Sequence, residues 1–145
     1  DQPMMTLTYE TVLTDKHFQF KKITDDVRRA VETSGVKKGM VCVITAHTTT
    51  GITVNEGLDC LESDMEDALR RLIPDDYPYV HAHWLPTYGR TSANATGHLR
   101  SMLTGNNCMF PVDQGKMMLG AAQDIYLCEF DGPQARKICI EVFGE

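Results

Sequence analysis

The chain reads as an α+β protein built on a mostly antiparallel sheet with two or three helices. Three observations carry that reading. Segments that alternate apolar and polar residues, rich in Thr, Val, Ile and Tyr, outnumber segments with helical periodicity. The last three or four such segments follow one another through short turns, "DQG" and "DGPQ", as hairpins do. The 145 residues, 42% hydrophobic and 23% charged, have the size and composition of one soluble globular domain, 1–145, with no repeat, linker or low-complexity stretch to divide it.

The elements follow in order. "MMTLTYETVLT" is a first strand, and "HFQFKKI", with Phe18 and Phe20 alternating, a short partner strand. At Thr24 the pattern changes to helix: Thr24 can cap it, Asp25 and Asp26 complement the dipole, and Val27, Ala30 and Val31 form the apolar face. Gly35 supplies the C-terminal turn. "MVCVITA" (40–46) is nearly continuous apolar sequence and predicts a central strand, and "GITVNE" resumes the alternation. Leu58, Leu61, Met65, Leu69 and Leu72 recur at helical spacing up to Pro74. Residues 74–93 have no period and hold three of the six prolines, the only Trp and three of the five tyrosines; a loop this long in a compact domain is more often functional than idle. "NATGHLRSMLTG" is a short helix closed by Gly105, followed by the strands "NCMFPV", "KMMLGA", "IYLCEF" and "RKICIEVF".

Charge and cysteines narrow the function classes. A net charge of −6 argues against non-specific grip on nucleic acid or an anionic membrane, while leaving room for a local anion pocket. No apolar run approaches the roughly 20 residues that span a bilayer, and nothing reads as a signal peptide. Five scattered cysteines without a C-x-x-C suit reduced thiols and a cytoplasmic location. Phosphate-loop, dinucleotide and nucleophile-elbow motifs are missing, and each Cys sits in apolar surroundings that predict an unreactive thiol.

What stands out is polar. "HTTTGITVNEG" (47–57) lines up His47, Thr48, Thr49, Thr50, Asn55 and Glu56 between two apolar runs. His81 and His83 lie in the Pro-rich loop, and Asn94 and His98, four apart on a helix, share a face. His17 has no polar company and reads as a surface strand residue. Three neutral imidazoles from separate elements could bind a divalent metal with Glu56 nearby, or a phosphate when protonated. Each piece alone also suits a structural role: threonine favours strands and turn edges, and "NEG" can simply open a helix. Composition points to a site for a small anion or metal and goes no further.

In order and spacing, "HTTTGITVNEG", "YVH", "NATGHLRSMLTG" and "IYLCEFDGP" resemble the motifs of the secondary thiamine-phosphate synthase family, the YjbQ-like proteins. The resemblance runs from about the second strand to the C-terminus. It implies an α+β subunit of a homotrimer, with a site near a subunit boundary. Carried over residue by residue, His47, Asn55, Glu56, His81, Asn94 and His98 match family site positions, as do Gln123, Glu129, Asp131, Gly132 and Arg136. Ala122 stands where many members carry Trp, which removes one large wall of a pocket.

The activity so implied joins hydroxymethylpyrimidine diphosphate to hydroxyethylthiazole phosphate, with magnesium or zinc as the divalent metal. His47, His81 and His98 are expected to hold the metal or the phosphates, with Glu56 beside them. Thr48, Thr49 and Thr50 are expected to donate to phosphate oxygens; Asn55, Asn94, Gln123 and Arg136 are the remaining substrate-binding candidates. Two other readings use the same residues: a metal-dependent hydrolase or transferase of other phosphorylated metabolites, and a trimeric protein that binds a ligand or metal without turnover.

Overall fold

A computed structural model describes residues 3–81 and 94–145 of the chain. Among them are eight strands: β1 (Met4–Leu13), β2 (Gln19–Lys22), β3 (Lys38–Thr45), β4 (Thr50–Glu56), β5 (Asn107–Asp113), β6 (Lys116–Met117), β7 (Gln123–Glu129) and β8 (Ala135–Gly144). Three helices join them, α1 (Thr24–Ser34), α2 (Asp59–Leu72) and α3 (Ala95–Thr104). The α+β architecture expected from the alternating segments is what forms. The sheet is two curled antiparallel sheets rather than one, a five-stranded sheet in the order β1-β8-β3-β5-β6 and a three-stranded sheet in the order β2-β7-β4. β2 is therefore not the partner of β1; it pairs with β7, Gln19 opposite Glu129.

Strand alternation places the main core. Val41 and Val43 of β3, Ile138, Ile140 and Val142 of β8, and Ile125 and Leu127 of β7 point into one layer that also takes Val27 and Val31 of α1. Residues in between point the other way. On β7 these are Tyr126 and Cys128, which pack with Phe18 and Phe130 into a second cluster against Leu69 of α2. β7 is thus buried on both faces, whereas β3 is buried on one: Val41 and Val43 face the core while Ile44 stays exposed.

Two local expectations change. Thr24 does not cap α1 with its side chain. Its hydroxyl donates to Asp124 Oδ1 (2.6 Å) and accepts from the Ile125 N–H (2.9 Å), which ties the helix start to β7. The "KMMLGA" strand shrinks to Lys116–Met117, because Gln123 Oε1 accepts from the Gly120 N–H (2.7 Å) and turns the chain there. The cysteines form no disulfide; Cys128 is buried, Cys42, Cys108 and Cys139 are half-buried, and Cys60 is exposed against expectation. Among the described residues no helix is long and apolar enough to cross a membrane.

Candidate functional site

The candidate site forms where α3 meets one end of the small sheet. β4 begins there at Thr50, opposite Glu129, the last residue of β7. The Phe130 N–H donates to the Thr49 carbonyl (3.0 Å), which extends that pairing outward. α3 settles on this end because Gly97 has no side chain: a Cβ there would stand 3.0 Å from the Phe130 carbonyl oxygen and 3.3 Å from Thr49 Cγ2. Ser101 Oγ donates to the Thr50 carbonyl (2.5 Å) from the next turn. Asn94, just ahead of α3, makes no side-chain cap; its Nδ2 donates to Asp131 Oδ2 (3.0 Å).

His98, one turn into the helix, faces His81 with ring centroids 5.2 Å apart at 51°. His17 adds a third imidazole, its Nδ1 4.0 Å from Asp131 Oδ1. Gly132 makes that approach possible: its N–H donates to the His17 carbonyl (3.1 Å), and a Cβ on it would come within 2.3 Å of the Lys16 carbonyl oxygen. The N-terminus of α3, two facing imidazoles, the Asn94 amide and the Asp131 carboxylate are brought together here. His81 Nδ1 and Asn94 Oδ1 are buried there with no hydrogen-bond partner among the described residues.

Beneath this surface lies a buried ion pair. Arg136 Nε donates to Glu129 Oε1 (2.8 Å) and its Nη2 to Oε2 (2.6 Å), and the same Nη2 reaches Thr49 Oγ1 (2.9 Å). Thr14 Oγ1 and the Asp131 N–H complete the carboxylate's shell at 2.7 and 3.1 Å. Burial pushes the Glu129 carboxyl up, but Arg136, Thr14 and the Asp131 N–H outweigh it and hold it below its ordinary range. The threonine run supports this framework. Thr50 Oγ1 donates to the His47 carbonyl (3.0 Å) and lies 2.8 Å from Thr45 Oγ1, which closes the turn.

His47 points elsewhere. Its Nε2 accepts the Lys137 N–H (3.0 Å), so in the neutral ring the proton sits on Nδ1. It lines a cavity of about 210 Å³ with Tyr9, Ile44, Lys137 and Cys139. Burial and then the Arg136 charge lower its pKa, with Glu129 opposing. The unfolded imidazole takes a proton near its ordinary 6.5 and the folded one only at lower pH, so this residue's contribution to stability is present above 6.5 and fades on acidification. An NMR titration is expected to place the His47 midpoint below 6.5, with Nε2 the unprotonated nitrogen; a midpoint above 6.5 contradicts this geometry.

The sequence model of the family "UPF0047 protein YjbQ-like" matches residues 8–145. The chain belongs to this family. It is 37% identical over 131 residues to a UPF0047 protein of Archaeoglobus fulgidus, covering 90% of this chain and 96% of that one. It is 32% identical to the UPF0047 protein YugU of Bacillus subtilis, over 92% and 96% of the two chains. Among solved structures, a YbjQ-like protein of Sulfolobus solfataricus superposes with a TM-score of 0.91 at 31% identity, covering 99% of this chain and 100% of that one.

In this YjbQ-like chain the expected site residues divide into groups. Asn94, His98, His81 and Asp131 come together, and Thr48 stays exposed beside the buried Thr49. Thr49 and Thr50 are buried with their hydroxyls engaged, and Arg136, 5% exposed, is committed to Glu129. Substrate donors at those three positions give way to a structural role. Asn55, Glu56 and Gln123 sit at the opposite end of the small sheet, Glu56 pairing with Gln123, roughly 20 Å from Thr50 at about 3.3 Å per residue.

The His47–His81–His98 metal set is not assembled: among the described residues no three His, Cys, Asp or Glu side chains are grouped to hold a metal ion. Glu56, at the far end of β4, does not join His81 and His98. His83 lies outside the described residues. Sequence reading missed His17, whose neighbour Asp131 arrives through the Gly132 turn. It also missed Arg100, fully buried on α3. A signal for Arg100 existed: the helix places Thr96, Gly97, Leu103 and Thr104 beside it, none of them acidic, so its charge must find a partner outside α3.

Proposed function

We propose that this chain is a transferase of the thiamine-phosphate synthase type, working at the α3 end of the small sheet and possessing a preference for diphosphate-bearing substrates. The supporting observation is the His81–His98 pair at the start of α3, beside Asn94 and Asp131. The reaction breaks a C–O bond, and the diphosphate departs with the electron pair. The thiazole nitrogen uses its lone pair to form the new C–N bond. No enzyme nucleophile is required; what the chain must supply is orientation and donors for the leaving oxygens. His81, His98, the first N–H groups of α3 and the exposed Thr48 hydroxyl are those donors, and the Asn94–Asp131 bond fixes the entrance to the helix. Titrating pyrophosphate in magnesium buffer tests this: the His81 and His98 ring signals should move while Gln123 and Glu56 amides stay still. Unmoved rings with saturating pyrophosphate would sink the reading.

The location we propose is cytoplasmic, in keeping with five free cysteines. Assembly into a homotrimer is also proposed, through the outer face of the five-stranded sheet. Met5, Leu7 and Tyr9 alternate outward on β1, each more than half exposed, and Ile44 and Met109 continue the apolar surface across β3 and β5. Such a face is costly to leave in water. Leu7→Glu should reduce the mass measured by light scattering from trimer toward monomer. An unchanged trimeric mass would place the contact elsewhere.

A further inference from the structure

We infer that Arg100 and Asp75 are positioning residues that set His81 against His98, an inference that rests on reading the facing imidazoles as the substrate site. Arg100 follows His98 on α3, and its side chain is fully buried. A guanidinium cannot shed its charge, so burial obliges it to find acceptors. It finds them in the segment that leads to His81: Nη2 donates to the Ile73 carbonyl (2.8 Å) and to Asp75 Oδ1 (3.1 Å). Its Nε and Nη1 have no partner among the described residues, which leaves Asp75 as the carboxylate that holds this charge.

The same carboxylate joins a second arginine. Arg70 of α2 donates from Nη1 to Asp75 Oδ2 (2.8 Å) and from Nε to Glu66 (2.9 Å). Both guanidinium groups lie against the Phe18 ring, Arg70 at 4.8 Å and Arg100 at 5.3 Å from its centroid. Asp75 therefore clamps the end of α2 and the middle of α3 around one aromatic ring. From this clamp to His81 the chain is short and folded on itself. Tyr79 Oη donates to the Pro74 carbonyl (2.7 Å), and the Tyr77 and Tyr79 rings stand 4.9 Å apart. Anchoring Ile73–Asp75 to α3 thus fixes where His81 falls relative to His98, which shares that helix.

The test is the NOE between the His81 and His98 ring protons, read beside a pyrophosphate titration of the same samples. Asp75→Ala should weaken the ring-to-ring cross-peak at least threefold while the amide spectrum of the sheets is retained. Asp75→Glu should restore part of it. Asp75→Asn keeps an acceptor oxygen without the charge and should weaken the peak less, giving a second variant that burdens the fold less. Arg70→Ala, which removes the other arm of the clamp, should leave the peak in place. A cross-peak of wild-type strength in Asp75→Ala overturns the positioning role, whatever pyrophosphate does. Loss of the peak in Asp75→Ala, with a wild type whose rings ignore pyrophosphate, keeps the positioning role and removes the proposed function.

Discussion

Arg136→Met is expected to lower the unfolding free energy by about 3–5 kcal/mol, the usual cost of leaving one member of a buried ion pair without its partner. Glu129 is 0% exposed, and two of its hydrogen bonds come from Arg136. In the variant only Thr14 Oγ1 and the Asp131 N–H remain on a desolvated carboxylate, and Thr49 Oγ1 loses its donor. Set against a total of about 5–15 kcal/mol for a domain, that loss is severe. Urea unfolding at neutral pH measures it, and the Glu129→Gln/Arg136→Met double variant should recover part of the loss because no charge is left buried.

The pH dependence separates the pair from ordinary packing. In the wild type the Glu129 carboxyl is held below its ordinary value of 4.5. Unfolded chain therefore binds the proton first, and stability falls as the pH drops through 4.5 toward the lowered folded value. In Arg136→Met burial is left with only two opposing hydrogen bonds, so the carboxyl rises and the sign reverses: acidification through that range should stabilise the variant relative to the wild type. Parallel losses in both proteins would mean that the pair does not carry the stability assigned to it.

For the proposed transfer, His98→Ala is expected to lower kcat/KM at least tenfold, about 1.4 kcal/mol of transition-state stabilisation. The side chain is half-buried, and its described contact is the ring of His81, so the fold and oligomeric state should survive its removal. Glu56→Gln provides the comparison. Glu56 is exposed at the far end of β4, and its replacement should leave kcat/KM within about twofold if chemistry occurs within one end of the subunit. The opposite ranking of the two variants would move the site to the Asn55–Glu56–Gln123 end.

Much of this was legible in the sequence, because strands and helices declare themselves through side-chain period. The alternation in β1 and β8, the helical spacing of α2 and the turn at Gly35 all correspond to elements of the structure. Pairing did not show, since β2 meets β7 across a hundred residues and nothing local in "HFQFKKI" names that partner. Hydroxyls were the hardest to assign. Thr24 satisfies a cap pattern, yet Asp124 and the Ile125 N–H offer it a better-placed pair of bonds. In the 47–57 segment the residue types pointed to one shared site, but Thr49 and Thr50 brace the turn, and Asn55 and Glu56 follow β4 away from it. Histidines were readable as candidates and not as a set: His47 turns to Lys137, while His17, dismissed for want of neighbours, comes to lie beside Asp131.

The proposed transfer is tested most directly by kcat/KM of the wild-type protein for thiamine phosphate formation from the two purified precursors in magnesium buffer. Product and pyrophosphate are expected in equal amounts, with kcat/KM of about 10⁴ M⁻¹s⁻¹ or above. Pyrophosphate binding at His81 and His98 without any product from saturating precursors would contradict it and make this a ligand-binding protein.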